Sequence, residues 1–123
     1  MHALNWFEIP VTDFERAQKF YAQIFACEIP ANPMKGEMLG FLPCDPTVGG
    51  VGGALVHGDG YTPSETGTVV YLNGGDDLQV ILDRVEAAGG KILTEKFLIT
   101  ETIGYCAFFM DSEGNRVGLH SRS

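Results

Sequence analysis

Apolar and polar positions alternate near the start of the chain, with Phe7, Ile9 and Val11 on one side and Trp6, Glu8 and Pro10 on the other. This two-residue period predicts a strand with one packed face. Thr12 and Asp13 then offer side-chain acceptors to the free amides of a helix start, and Glu15 places negative charge at the positive end of its dipole. From Phe14 onward, Ala17, Phe20, Tyr21, Ile24 and Phe25 recur every three or four residues. That spacing predicts a helix with one broad apolar stripe, ending by about Cys27. The stripe packs on Phe7, Ile9 and Val11, so the strand face carrying Trp6 and Glu8 is left to line a cavity or an interface.

A short strand is expected around Glu28, another over residues 37–42, a loop from Asp45 to Gly50, and extended chain over residues 53–57. The glycines between positions 49 and 53 would suit a phosphate loop only between a strand and a helix. Here a strand follows, and turns with close backbone approach explain them. Residues 58–67 are polar and rich in Gly, Pro and Ser, as in a surface loop between halves. The second half then repeats the first. A strand over residues 68–72 precedes caps at Asp76 and Asp77, a helix through Leu78, Ile81, Leu82 and Val85, and a stop at Gly89 and Gly90. Strands are expected over residues 91–94, 105–110 and 117–121, the last two joined by a DSEGN turn in which Gly114 and Asn115 suit positive backbone angles. The chain therefore reads as one α+β domain, residues 1–123, made of two βαβββ units at about 1–58 and 67–123. Such a duplication would let two half-sheets meet and form a trough between them.

With 45% hydrophobic and 20% charged residues, the chain can bury a core and is not of disordered type. A net charge of -8 without a basic run argues against nucleic acid as a partner. Cys27, Cys44 and Cys106 lack the close spacing of a zinc ribbon or a disulfide framework. Reduced thiols and the absence of a basic-then-apolar leader lead us to expect a cytoplasmic protein, and no apolar run approaches the roughly 20 residues of a membrane span.

Three stretches carry a resemblance: EIPVTDFERAQKFY at 8–21, DLQVILDRVEAAGG at 77–90 and GYCAFFMDSEGNRVGL at 104–119. In this order they resemble the vicinal oxygen chelate superfamily, which includes glyoxalase I, bleomycin resistance proteins and extradiol dioxygenases. The resemblance implies paired βαβββ units whose curved mixed sheets surround a cavity with the helices on the outer face, a small-molecule ligand and a homodimer. It also implies metal ligands on strands one, five and eight, and sometimes four. Carried onto this chain, the first three positions fall on Trp6, Val69 and Gly118, none of which offers a ligating side chain. We therefore expect no metal cofactor at the usual place, with a relocated divalent ion (Zn, Ni, Mn or Fe) as the alternative.

Two groups lie two residues beyond vacated positions. Glu8 follows Trp6 and His120 follows Gly118, and strand alternation turns both toward the expected cavity. They form either an acid and base pair for a lyase, isomerase or dioxygenase type of reaction, or a structural pair near the strand ends. Glu8, His120 and His57 are also the candidates for a relocated metal. Trp6, Val69, Tyr71, Tyr105 and His57 are the candidate ligand-binding residues, the aromatics as flat apolar walls. Cys106 reads as packing, and an accessory dimer with a filled trough is the remaining reading.

Overall fold

A computed structural model describes residues 2–123. The first unit comprises β1 (Trp6–Pro10), α1 (Phe14–Phe25), β2 (Ala31–Met34), β3 (Glu37–Leu42) and β4 (Gly52–His57). The second comprises β5 (Tyr71–Asn73), α2 (Gln79–Ala88), β6 (Lys91–Thr100), β7 (Gly104–Met110) and β8 (Arg116–Ser121). Each unit makes its own open four-stranded sheet, ordered β1-β4-β3-β2 and β5-β8-β7-β6. In each, the first strand runs parallel to the last and the other pairings are antiparallel. The α+β architecture of two βαβββ units is thus the one the sequence pattern predicts.

Asp13 caps α1 by accepting the Arg16 amide at 3.1 Å, and Ala26 ends it in the left-handed region at φ 51°. The apolar stripe of α1 buries Ala17, Phe20, Tyr21 and Ile24. These join Ile9, Leu82, Phe109 and Leu119 in a core shared by both units, with α1 packed against α2. Phe20 meets Tyr21 edge-on, centroids 5.0 Å apart, an arrangement that contributes about 0.5–1.5 kcal/mol beyond the buried area.

Several boundaries differ from those expected. No strand forms around Glu28; pairing starts at Ala31, where β2 is an edge strand that can hold Pro33 without breaking a second ladder. The fifth strand begins at Tyr71 rather than Thr68, although the Val70 carbonyl already accepts the Gly118 amide at 2.9 Å. The second helix starts after Leu78, which makes no side-chain cap, while Asp77 accepts the Gln79 amide at 2.9 Å. The strand expected at 91–94 runs on to Thr100, because three register shifts against β7 break the alternation that would mark it. In the DSEGN turn only Gly114 has positive φ.

That turn is the clamp between the units. Asp111 is buried and accepts from the Tyr21 hydroxyl at 2.7 Å, from the amides of Glu113 and Asn115 at 2.9 Å each, and from the Asn115 carboxamide at 3.0 Å. Burial, then the Asp111 charge and hydrogen bond, hold the Tyr21 phenol well above its ordinary range. The Asn115 carboxamide also donates to the Pro10 carbonyl at 2.7 Å. Glu113, whose side chain is fully buried, accepts the Thr12 and Asp13 amides at 2.9 and 2.7 Å and pairs with Arg16 at 2.7 Å. A turn of the second unit thus supplies acceptors to the start of the first unit's helix.

Burial pushes the Glu113 carboxyl up, but hydrogen bonds from Arg16, the Asp13 amide and Ser112, with the Arg16 charge, outweigh it, and the net pKa is lowered. A lowered carboxyl contributes stability that is complete above the ordinary carboxylate range and is lost as pH falls through the folded value. Glu113→Gln is therefore expected to lose stability at pH 7 and to flatten the acid limb of the stability curve below about pH 4.3. Denaturant midpoints for both proteins across pH 3–7 measure this, and parallel acid limbs would refute it.

Candidate functional site

Alternation in β1 sends Ile9 to the core and turns Trp6 and Glu8 away from α1. There they neighbour a second, small apolar cluster of Leu39, Ala54 and Val56, against which Phe41 and Tyr61 pack. Trp6 is 43% exposed and meets Phe41 edge-on at 5.9 Å. The Tyr61 hydroxyl donates to Glu8 Oε1 at 2.8 Å, and that bond holds the phenol above its ordinary range. Tyr61 comes from the loop after β4, which is tied to the second unit where the Ser64 amide donates to Asn115 Oδ1 at 2.9 Å.

The corresponding face of the second sheet carries Tyr71, Phe108 and Arg116. Tyr71 is 53% exposed and meets Phe108 edge-on at 5.5 Å, while the Arg116 guanidinium lies 4.4 Å from the Phe108 centroid. His120 is on this face too, its Nε2 2.7 Å from the Ile103 carbonyl. Tyr105 is not; it packs on the core beside Ala107 and Phe109, with the Lys96 ammonium 4.6 Å from its ring centroid. His57 stands at the end of β4 with Nδ1 3.2 Å from the Val11 carbonyl. Cys106 is buried, and burial raises its thiol pKa, as suits packing rather than reactivity.

The two units match position for position. Trp6 pairs with Gly52 and Tyr71 with Gly118, and each aromatic precedes its helix cap, Asp13 or Leu78, by seven positions. The register therefore moves the fifth-strand position counted as Val69 to Tyr71. Each aromatic ring lies against its paired glycine. A Cβ on Gly118 would lie 2.6 Å from Tyr71 Cδ2, and one on Gly52 would lie 3.2 Å from Trp6 Cζ3 and 2.9 Å from Cys44 Sγ. Glycine within a strand is a signal of such close approach, and it is the signal by which Gly52 could have been found from sequence. Tyr61 lies in no motif, and the stretch at 104–119 does not single out Phe108 or Arg116.

The chemistry of these four positions does not fit a divalent metal. Two are glycines, the indole has no lone pair to give, and the Tyr71 phenol is the one remaining donor. Among the described residues no three His, Cys, Asp or Glu side chains gather closely enough to hold an ion. Glu8 and His120 belong to different sheets and bind different partners, Tyr61 and Ile103, so the chain does not join them as a hydrogen-bonded acid and base.

Between the units lies a crevice of about 720 Å³. Phe7, Phe25 and Leu42 of the first unit and Leu72 and Ile81 of the second wall it, with Val69 and Tyr71 at its rim. Val69 and Tyr71 both line it, whereas Trp6, on the opposite face of β1 from Phe7, does not.

No helix is long and apolar enough to cross a membrane among the described residues. A glyoxylase-like domain-containing protein of Didymella fabae is 29% identical over 127 residues, covering 97% of this chain and 93% of the relative. Among solved structures, a glyoxalase-related enzyme of Fulvimarina pelagi matches with TM-score 0.68 and 14% identity over 98% of this chain and 88% of that one. Glyoxalase I of Zea mays matches with TM-score 0.69 and 21% identity over 98% of this chain; the chain spans 44% of the maize protein. At such identities these structures are alike in fold. The model of the Glyoxalase/Bleomycin resistance protein/Dioxygenase superfamily matches residues 3–119, nearly the whole chain, and the chain belongs to that superfamily.

Proposed function

We propose that this chain is a small-molecule-binding member of its superfamily that works without the metal centre usual there. The observation that carries the reading is the pair of aromatic rings laid against paired glycines, Trp6 on Gly52 and Tyr71 on Gly118. At the positions where metal-dependent relatives hold donors, this chain offers flat apolar walls and bare backbone. The crevice supplies a place of ligand size, within the roughly 300–1,000 Å³ common to such sites. Sequestration or sensing of a ligand needs no more than this, whereas an acid and base reaction would need Glu8 and His120 to act from separate sheets.

Metal analysis of protein purified without chelator tests the reading. The expected result is divalent metal well below one equivalent per chain, with thermal stability unchanged by EDTA. Stoichiometric zinc, nickel, manganese or iron, lost with a drop in stability on chelation, would overturn it.

A further inference from the structure

We infer that the crevice between the units takes an uncharged, largely apolar molecule bearing a carbonyl-type acceptor, with the Asn73 carboxamide as its polar contact. This inference rests on the small-molecule reading above and names the class of ligand.

The first ground is charge. One residue in five of this chain is charged, yet among the described residues no Asp, Glu, Lys, Arg or His lines the crevice. The net charge of -8 adds a general repulsion of anions, and no lysine or arginine of the lining offsets it. An ion moved from water onto walls such as Phe25, Leu42 and Ile81 loses hydration without gaining a counter-charge. An uncharged hydrocarbon or aromatic body gains instead by leaving water, at about 25 cal/mol per Å² of apolar surface.

The second ground is the small set of polar groups at the rim: Thr68, Tyr71 and Asn73. Asn73 Oδ1 accepts the Gly75 amide at 2.9 Å, which fixes the carboxamide's orientation and leaves its nitrogen as the donating end. That nitrogen has no acceptor among the described residues. The Thr68 and Tyr71 hydroxyls likewise make no hydrogen bond there, so the rim offers donors to an incoming oxygen. An apolar crevice with a few donors in its lining selects a ligand by shape and by one acceptor.

A matched pair of probes tests this: the methyl ester of pyrenebutyric acid and pyrenebutyrate itself, titrated into the full chain and followed by pyrene fluorescence. The ester is expected to bind at one site per chain, at least about tenfold more tightly than the anion, since an uncompensated charge in an apolar site costs more than about 1.4 kcal/mol. Leu4→Glu, a substitution at a half-exposed lining position that should not disturb folding, is expected to weaken the ester by about tenfold or more. Asn73→Leu is expected to weaken the ester several-fold while leaving unsubstituted pyrene, which has no acceptor, bound as before.

Pyrenebutyrate binding as tightly as its ester would overturn the assigned ligand class while leaving a small-molecule binder in place. Ester binding indifferent to Leu4→Glu would place the site elsewhere and overturn the inference. Ester binding that falls as protein concentration rises into self-association would give the crevice to a second copy of the chain. Stoichiometric metal with no binding of either probe would bring down the functional reading and this inference with it.

Discussion

Asp111→Ala is expected to lose about 3–5 kcal/mol of folding stability, because one buried carboxylate serves four donors and each donor left without an acceptor costs about 1–3 kcal/mol, less than additively. The four are the Tyr21 hydroxyl, the amides of Glu113 and Asn115, and the Asn115 carboxamide. Tyr21 is fully buried on α1, so its hydroxyl cannot turn to water. The Asn115 carboxamide nitrogen would keep only the Pro10 carbonyl. Against a total near 5–15 kcal/mol for a domain of ordinary size, the loss removes from about a fifth to all of the folding stability. Asp111→Asn keeps one acceptor oxygen in nearly the same volume and should lose less. Urea unfolding of the three proteins measures both changes. An alanine variant within about 1 kcal/mol of the parent would mean that the clamp is not what joins the two units.

That clamp shows which information a local pattern holds and which it does not. The helical stripe from Phe14 to Phe25, the Asp13 cap and the alternation in β1 are set by neighbours two to four residues away, and all were legible in the sequence. The bonds from Glu113 to the Thr12 and Asp13 amides join residues about a hundred positions apart, and nothing within DSEGN announces them. Alternation put Glu8 and His120 on the strand faces of Trp6 and Gly118 and toward an expected cavity. It could not tell that each lies on a different sheet, because sheet membership depends on which strands pair, and those pairings are long-range. Likewise, allowing for one extra residue in LNGGDDL led to Val69, eight positions before Asp77. The helix cap falls at Leu78 and no extra residue intervenes, so the position seven before it is Tyr71, where β5 begins. Where local period and tertiary pairing disagree, as along the bulged β6, tertiary pairing decides.

The fit between Tyr71 and Gly118 gives the second large effect and bears on the site itself. Gly118→Ala is expected to lose about 1–3 kcal/mol, the range for forcing extra volume into a packed place. Its methyl would lie 2.6 Å from Cδ2 and 2.9 Å from Cε2 of Tyr71. The contact also involves Cγ at 3.0 Å, near the ring's root, so a rotation about the last bond does not relieve it. The ring must swing away and give up its edge contact with Phe108, worth about 0.5–1.5 kcal/mol. In a Tyr71→Ala background the same change at position 118 should be close to neutral or slightly stabilising, since alanine in a strand is favoured over glycine by about 0.5–1 kcal/mol once nothing opposes the methyl. The double-mutant cycle thus predicts a coupling of more than about 1 kcal/mol between the two positions. Equal cost in both backgrounds would show that the ring is not what requires glycine there. Strong coupling would mean that position 118 cannot carry a side chain while Tyr71 holds its place, so that the bare backbone at 118 and the aromatic wall at 71 are one physical arrangement.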